Sequence, residues 1–310
     1  MHAPNASVYG YECIEADRIE KFKNEAIFAQ EMALAQSFVE QFPSTPSKPH
    51  CPITHSADVR PLFTKWGIPY FLCEASWTLF ADVESGHVER FQRESEVSQF
   101  RLSSEYQADA SLRRDTLWNR TLDWIAYKSF RYLAKNKGLS VIDFGNRYVG
   151  FVEKLQGANF CGQYNADNAD ICLSLDHFQS QTDPVRYVQK LYKSLKPGGI
   201  LFLSTRAATG FDVLMLCEDS TLFPYEHIVL PSRQSLAFLL EQAGFQILET
   251  HTPGIMDVTY VRDHMRLEYE TPPFLRCLLQ TLSPRGSIEL QQFLQKHGYS
   301  SYMQIIAKKE

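Results

Sequence analysis

The chain has no two cysteines at C-x-x-C spacing; its seven cysteines, at 13, 51, 73, 161, 172, 217 and 277, are scattered and odd in number. That pattern argues against a disulfide framework and for reduced thiols in a cytoplasmic setting. No apolar run approaches the ~20 residues that a membrane span needs. The first residues, MHAPNASVYGYECIEADR, carry neither a cationic flank nor an apolar core segment, so no secretion signal is expected. Without export, the sequons at Asn5 and Asn119 are chance matches. Positive charge is not in excess either. Thirty-one Lys and Arg stand against 36 Asp and Glu, a formal net charge of −5, and the pI is near 6.0. Such a balance gives no general pull toward nucleic acid or an anionic membrane. There is no internal repeat and no low-complexity tract.

What is present suits a globular protein: 310 residues, 44% hydrophobic and 22% charged, enough for one large domain or two of ordinary size. Residues 14–41 lack Gly and Pro and space their apolar residues by three and four, which predicts a long helix. Phe42-Pro43 stops it, and four prolines among residues 43–52 mark a linker. Residues 51–82 alternate short apolar and aromatic runs with turn residues, as a small β-unit does. Residues 88–137 return to helix, with Phe91, Phe100, Leu112, Leu117, Trp124, Ile125, Phe130 and Leu133 on one face. The charged stretch 83–115 is its solvated side. From Leu139 the pattern becomes strand, loop, helix, strand, the sign of an α/β sheet. The expected units are residues 1–48 (helix and linker), 49–85 (β-unit), 86–138 (helical connector) and 139–310 (α/β domain with a C-terminal extension).

Residues 185–205, VRYVQKLYKSLKPGGILFLST, give a helix, a Lys196-Pro197-Gly198-Gly199 turn and an apolar strand over Ile200–Thr205. That order resembles class I S-adenosylmethionine (SAM) methyltransferases just before their fifth strand. Val141, Ile142, Asp143, Phe144 and Gly145 match the family's pattern after strand 1, h-h-D-h-G-x-G-x-G. Arg147 and Val149 stand where the second and third glycines belong, and Gly150 follows one position late. Arg147 brings a Cβ and a cation to a place where backbone should meet a cofactor that is itself a sulfonium cation. Only 25 positions separate Gly145 from Asp170, the acidic residue opening strand 4. One βαβ unit takes ~30 residues, so a strand–helix element is missing or collapsed here. Asn159–Tyr164 is a remnant of strand 2 in this alignment; it ends without the carboxylate that would take the ribose hydroxyls, Asp167 being the nearest. Downstream, Asp176-His177 follows strand 4 and Asp183-Pro184 opens the next helix. FPYEHIVLPS (223–232), a helix over Ser235–Gln242, the Ala243-Gly244-Phe245 turn and a strand over Gln246–Thr250 complete the likeness. The fold implied is α/β, a Rossmann-like class I methyltransferase sheet shortened between strand 1 and strand 4. The resemblance implies SAM as cofactor, with Asp143, Gly145, Arg147, Asp176 and His177 at its site.

CPITH (51–55) and YFLCEASWTLF (70–80) resemble the small zinc ribbon that precedes this domain in sugar C-methyltransferases. The second cysteine of each pair is here Thr54 and Ser76. Structural zinc takes four N or S ligands. The unit offers Cys51 and Cys73, with His50 or His55 as helpers, so no zinc is expected. Its aromatics, Phe63, Trp66, Tyr70, Phe71, Trp77 and Phe80, would hold it instead. TPGIMDV (252–258) and the closing MQIIAKK resemble the tail of sugar-cluster methyltransferases, the last segment being the final strand of the antiparallel edge.

Methyl transfer to carbon needs a base near the acceptor, and His suits neutral pH. The resemblance puts that role on the Glu226-His227 pair, with Tyr225 orienting the acceptor. His227 as a packed structural residue, Tyr225 as interfacial packing and Asp176-His177 as pocket walls are the plainer readings, and Asp143 fixes the loop after strand 1 even without SAM. His251, His264 and His297 have no partners at ligand spacing. Two functions stay open. One is a SAM-dependent methyltransferase acting on a small hydroxylated acceptor such as a sugar. The other is a pseudo-methyltransferase that has lost the cofactor and serves as a scaffold for a protein partner. A third, anion binding through Arg147, is weaker.

Overall fold

The computed structural model describes residues 25–43, 49–94, 96–133, 138–145, 160–162, 168–265 and 272–310. The expected helix over 14–41 is described from α1 (Glu25–Gln41). Its Ile27, Leu34, Ala35 and Phe38 are buried at the three-and-four spacing of one helix face. The connector forms α2 (Ser85–Glu94), α3 (Glu96–Leu102) and α4 (Ser104–Tyr132) rather than one helix. Ser103 accounts for the last break: extended at φ −63 and ψ 150, it accepts the Tyr106 amide on its hydroxyl and so caps α4.

Between α1 and α2 lie β1 (Arg60–Lys65), β2 (Ile68–Cys73) and β3 (Thr78–Ala81), antiparallel neighbours in a four-stranded sheet. Trp66 and Gly67 form the two-residue β1–β2 turn, both with positive φ (50 and 88), the type I′ geometry that matches strand twist. The fourth strand is distant in sequence: β8, Val229–Leu230, pairs with Leu79 and Phe80. Phe63 stacks on Tyr70 at 4.9 Å and Phe71 on Phe80 at 6.1 Å. Trp77, expected among these aromatics, is instead 45% exposed.

The larger sheet runs β5-β4-β6-β7-β10-β9. Its strands are β4 (Leu139–Asp143), β5 (Phe160–Gly162), β6 (Ala169–Leu175), β7 (Leu195–Arg206), β9 (Phe245–His251) and β10 (Tyr302–Lys309). Strands β5, β4, β6 and β7 are parallel, and β10 is antiparallel to both its neighbours. This is an α/β sheet of Rossmann-like order, four parallel strands continued by an antiparallel pair. Among the described residues one short strand, β5, lies between β4 and β6 in the chain, where the sequence foresaw a remnant. The last strand is not at the edge, as expected, but inside the sheet, with β9 outermost. Its unbroken Ile305-Ile306-Ala307, fully buried, is the composition of a strand covered on both faces.

Helix α5 (Pro184–Ser194) links β6 to β7, capped by Asp183, whose carboxylate accepts the Arg186 amide at 2.9 Å. The Lys-Pro-Gly-Gly segment lies as a bulge within β7: residues 195 and 200 oppose 169 and 171 of β6. Gly198 takes φ +78, and a Cβ on Gly199 would lie 2.9 Å from the Lys196 carbonyl. Lys196 reaches back to Asp170 at 2.9 Å, which also accepts from the Ser140 amide and hydroxyl. Asp170 therefore ties β4, β6 and β7 together at the end remote from the crevice. The remaining helices are α6 (Phe211–Leu216), α7 (Arg233–Gln242), α8 (Asp257–His264), α9 (Pro273–Thr281) and α10 (Pro284–His297). One apolar core runs from Phe38, Cys51 and Phe91 through Tyr225 and Val229 to Leu201, Leu240 and Ile305. Small sheet, helical layer and α/β sheet are thus buried against one another.

Candidate active site at the carboxyl ends of the parallel strands

In an open parallel sheet, ligands settle where neighbouring strands connect to opposite sides, outside their carboxyl ends. Here β4 has β5 on one side and β6 on the other, so the crevice opens above Asp143 and Leu175. Asp143 ends β4, and its Oδ1 accepts the Gly145 amide at 3.0 Å, while the Phe144 amide donates to the Leu173 carbonyl. The loop is thereby bent over the end of β6. A Cβ on Gly145 would come within 3.3 Å of both the Leu175 carbonyl and the His177 Cβ, so glycine allows the close approach. Arg147, Val149, Gly150 and Asp167 lie outside the described residues.

Asp176 follows β6 with φ 51, a left-handed conformation that costs a non-glycine residue about 1–2 kcal/mol. Three hydrogen bonds hold it: its amide donates to the Ser204 carbonyl at 3.0 Å and hydroxyl at 3.1 Å, and its Oδ1 accepts from that hydroxyl at 3.0 Å. Tyr302, which opens β10, also bonds to Asp176 and Ser204; burial first, then the Asp176 charge, push its phenol well above the ordinary range. His177 packs edge-on against Tyr187 at 5.6 Å, and its Nε2 meets Gln181 at 3.0 Å. Asp143, Gly145, Asp176 and His177 are thus brought together at adjacent strand ends.

Tyr225, Glu226 and His227 lie just before β8. Tyr225 is 2% exposed, its ring centroid 5.6 Å from Phe91 and 6.1 Å from Phe223. Glu226 faces Arg101 of α3 at 3.4 Å. His227 accepts the Phe223 amide on Nδ1 at 2.9 Å, and its carbonyl accepts the Tyr70 hydroxyl at 3.0 Å. With Nδ1 engaged, the neutral ring carries its proton on Nε2, where it donates rather than accepts.

Gln179 joins the turn after His177 to the segment after His227 and to the end of β7, and nothing in the sequence marked it. Its backbone carbonyl accepts the Ile228 amide at 2.7 Å, and its Oε1 accepts the Thr205 hydroxyl at 3.0 Å and the Arg206 amide at 2.9 Å. Tyr302 and Ser204 were missed as well; their contacts arise from strand pairing, which leaves no local motif. At the end of β7, Arg206 pairs at 2.9 Å with Asp212, whose carboxyl is raised by burial, the nearby Asp257 adding to this and Arg206 opposing it.

In the small sheet, Cys51, Thr54, Cys73 and Ser76 meet. Cys51 Sγ lies 3.6 Å from Ser76 Oγ, and Thr54 Oγ1 lies 3.8 Å from Cys73 Sγ. Two thiols and two hydroxyls are not the four N or S ligands of structural zinc. Among the described residues no group of three or more His, Cys, Asp or Glu is placed to hold a metal ion. Nor is any helix among them long and apolar enough to cross a membrane.

No curated protein matches the chain. Solved structures do. The phosphoethanolamine N-methyltransferase 2 of Haemonchus contortus, in complex with SAM, is 15% identical over 62% of this chain and 52% of its own, with a TM-score of 0.38. A SAM-dependent methyltransferase from Mesorhizobium loti is 13% identical over 61% of this chain and 98% of its own, with a TM-score of 0.32. At such values these likenesses bear no weight by themselves. Residues 146–250, about a third of the chain, match the family model of a methyltransferase domain.

Proposed function

We propose that this protein is a SAM-dependent methyltransferase whose acceptor is a small hydroxylated molecule, a sugar being the first to test. The observation that carries the reading is the pairing of the Asp143–Gly145 loop with Asp176-His177 at the ends of two adjacent parallel strands. These residues suit the cationic end of SAM: two carboxylates flank a loop that glycine lets approach closely. When bound, SAM supplies an electrophilic methyl group on its sulfonium. The chain's own part is positional. Asp143 fixes the loop through the Gly145 amide, Asp176 is aimed by Ser204 and Tyr302, and Gln179 ties the turn after His177 to the segment after His227. His227 is held in place by the Phe223 amide on Nδ1. Holding donor and acceptor in line supplies much of the rate in such a transfer.

The scaffold reading draws support from a different observation. Tyr225, Glu226 and His227 are all buried in contacts that hold the fold, and the sequence sets Arg147 and Val149 where glycines belong. Titration calorimetry with SAM and with S-adenosylhomocysteine separates the two. Micromolar binding that disappears in Asp143→Ala, with that variant still folded by circular dichroism, is the expected result. Absence of heat from either ligand at millimolar concentration would sink the enzyme reading and favour the scaffold.

A further inference from the structure

The small sheet carries two matching turns. Each begins at a buried cysteine, Cys51 or Cys73, and reaches a hydroxyl three residues later, Thr54 or Ser76. Each then passes through a non-glycine residue in the left-handed region, His55 at φ 58 and Trp77 at φ 50. Each turn is closed on its cysteine carbonyl, by the His55 amide at 2.8 Å in one and by the Ser76 amide, one residue earlier, at 3.3 Å in the other. The Thr54 amide points at Cys51 Sγ, 3.5 Å away. The turns face each other, so that each thiol of one meets the hydroxyl of the other, at 3.6 and 3.8 Å.

Those lengths are informative. A tetrahedron built on Zn–S bonds of about 2.3 Å has edges of about 3.8 Å. The two cross-turn contacts therefore have the span that four thiolates would show around one zinc ion. They also lie within reach of a sulfur–hydroxyl hydrogen bond, and Ser76 Oγ goes on to donate to Thr78 Oγ1 at 2.9 Å. Turn strain at both left-handed residues, which glycine would relieve, is kept on both sides alike.

We infer that this unit is a tetrahedral metal site in backbone geometry that holds together without metal, two thiol–hydroxyl contacts standing in place of the ion. It follows that the wild-type protein neither needs nor retains zinc, and that exchanging two oxygen atoms for sulfur is enough to make the site bind it. The inference is independent of the activity proposed above.

The test compares the wild-type protein with Thr54→Cys/Ser76→Cys, both purified from zinc-supplemented cultures. Metal analysis should find far less than one zinc per wild-type chain and one per variant chain. Chelation by EDTA should leave wild-type melting unmoved within about 1 °C and lower that of the zinc-loaded variant by roughly 4 °C or more. Cobalt(II) should give the variant alone the strong visible bands of tetrahedral thiolate coordination. Stoichiometric zinc in the wild-type protein, or a chelator-sensitive wild-type melt, would overturn the inference. So would a double variant that is folded by circular dichroism and takes up no more zinc or cobalt than wild type. Should the double variant fail to fold, the two wild-type measurements still decide.

Discussion

Glu249 on β9 gathers three side-chain partners, and its removal makes a quantitative prediction. Lys128 of α4 donates to its two oxygens at 2.7 and 2.5 Å, His251 Nε2 lies 2.8 Å away, and the Tyr132 hydroxyl donates to it. Burial raises its pKa, but the bonds from His251, Lys128 and Tyr132, with the Lys128 charge, outweigh that and bring it from 4.5 to about 2. The folded-state pKa lies below the unfolded one, so the folded chain binds fewer protons between those values. The stabilisation is therefore fully present above the unfolded pKa and is lost as pH falls toward 2. A fall of that size corresponds to about 3 kcal/mol at pH 7 and about 1.4 kcal/mol at pH 3. Glu249→Gln keeps the shape and removes the charge. Urea unfolding followed by circular dichroism should show the variant less stable by about 3 kcal/mol at neutral pH, the gap closing by about half at pH 3. A gap below about 1 kcal/mol at pH 7, or one that does not change with pH, would refute the charge-based account.

Two shorter predictions concern the site and the small sheet. Gln179→Ala strips the acceptor from the buried Thr205 hydroxyl and from the Arg206 amide, and should cost about 2–3 kcal/mol in urea unfolding; a cost below about 0.5 kcal/mol would mean that the Gln179 side chain does not hold the end of β7. His55→Gly removes a left-handed non-glycine residue from an exposed turn, and should raise stability by roughly 0.5–1 kcal/mol. A loss of stability there would show that the His55 side chain makes contacts worth more than the strain.

Much of the fold could be read from local chemistry. Asp183-Pro184 announced a helix start, and glycines 198 and 199 announced the break before the core of β7. Asn159–Tyr164 announced the short β5, the one strand among the described residues between β4 and β6. What could not be read was set by contacts distant in sequence. No local pattern says that Val229–Leu230 pairs with Leu79 and Phe80, nor that Gln179 accepts from the end of β7. The position of β10 depended on which strand claimed the sheet edge, and an apolar run such as IIA fits either place until its neighbours are known. Among the candidate site residues, Asp143 and His177 were chosen by their place at or just past a strand end, and the structure sets them at adjacent strand ends. Ser204 and Tyr302, which aim Asp176, carried no motif. Which ring nitrogen of His227 the Phe223 amide engages is a matter of geometry that residue identity does not record.

The pairing of β8 with β3 has a consequence for how the chain is made. On the ribosome, the strand Thr78–Ala81 emerges on the order of 150 residues before Val229–Leu230, the segment that covers its free side. At 5–20 residues per second, that is an interval of roughly 7–30 s. During it, four residues that end buried present an open hydrogen-bonding edge, the kind that recruits a strand from a neighbouring chain. Release of the first 85 residues as a fragment would make that interval permanent. Any shortened form of the protein should therefore run past residue 230, and slow translation between the two strands would favour aggregation of the nascent chain.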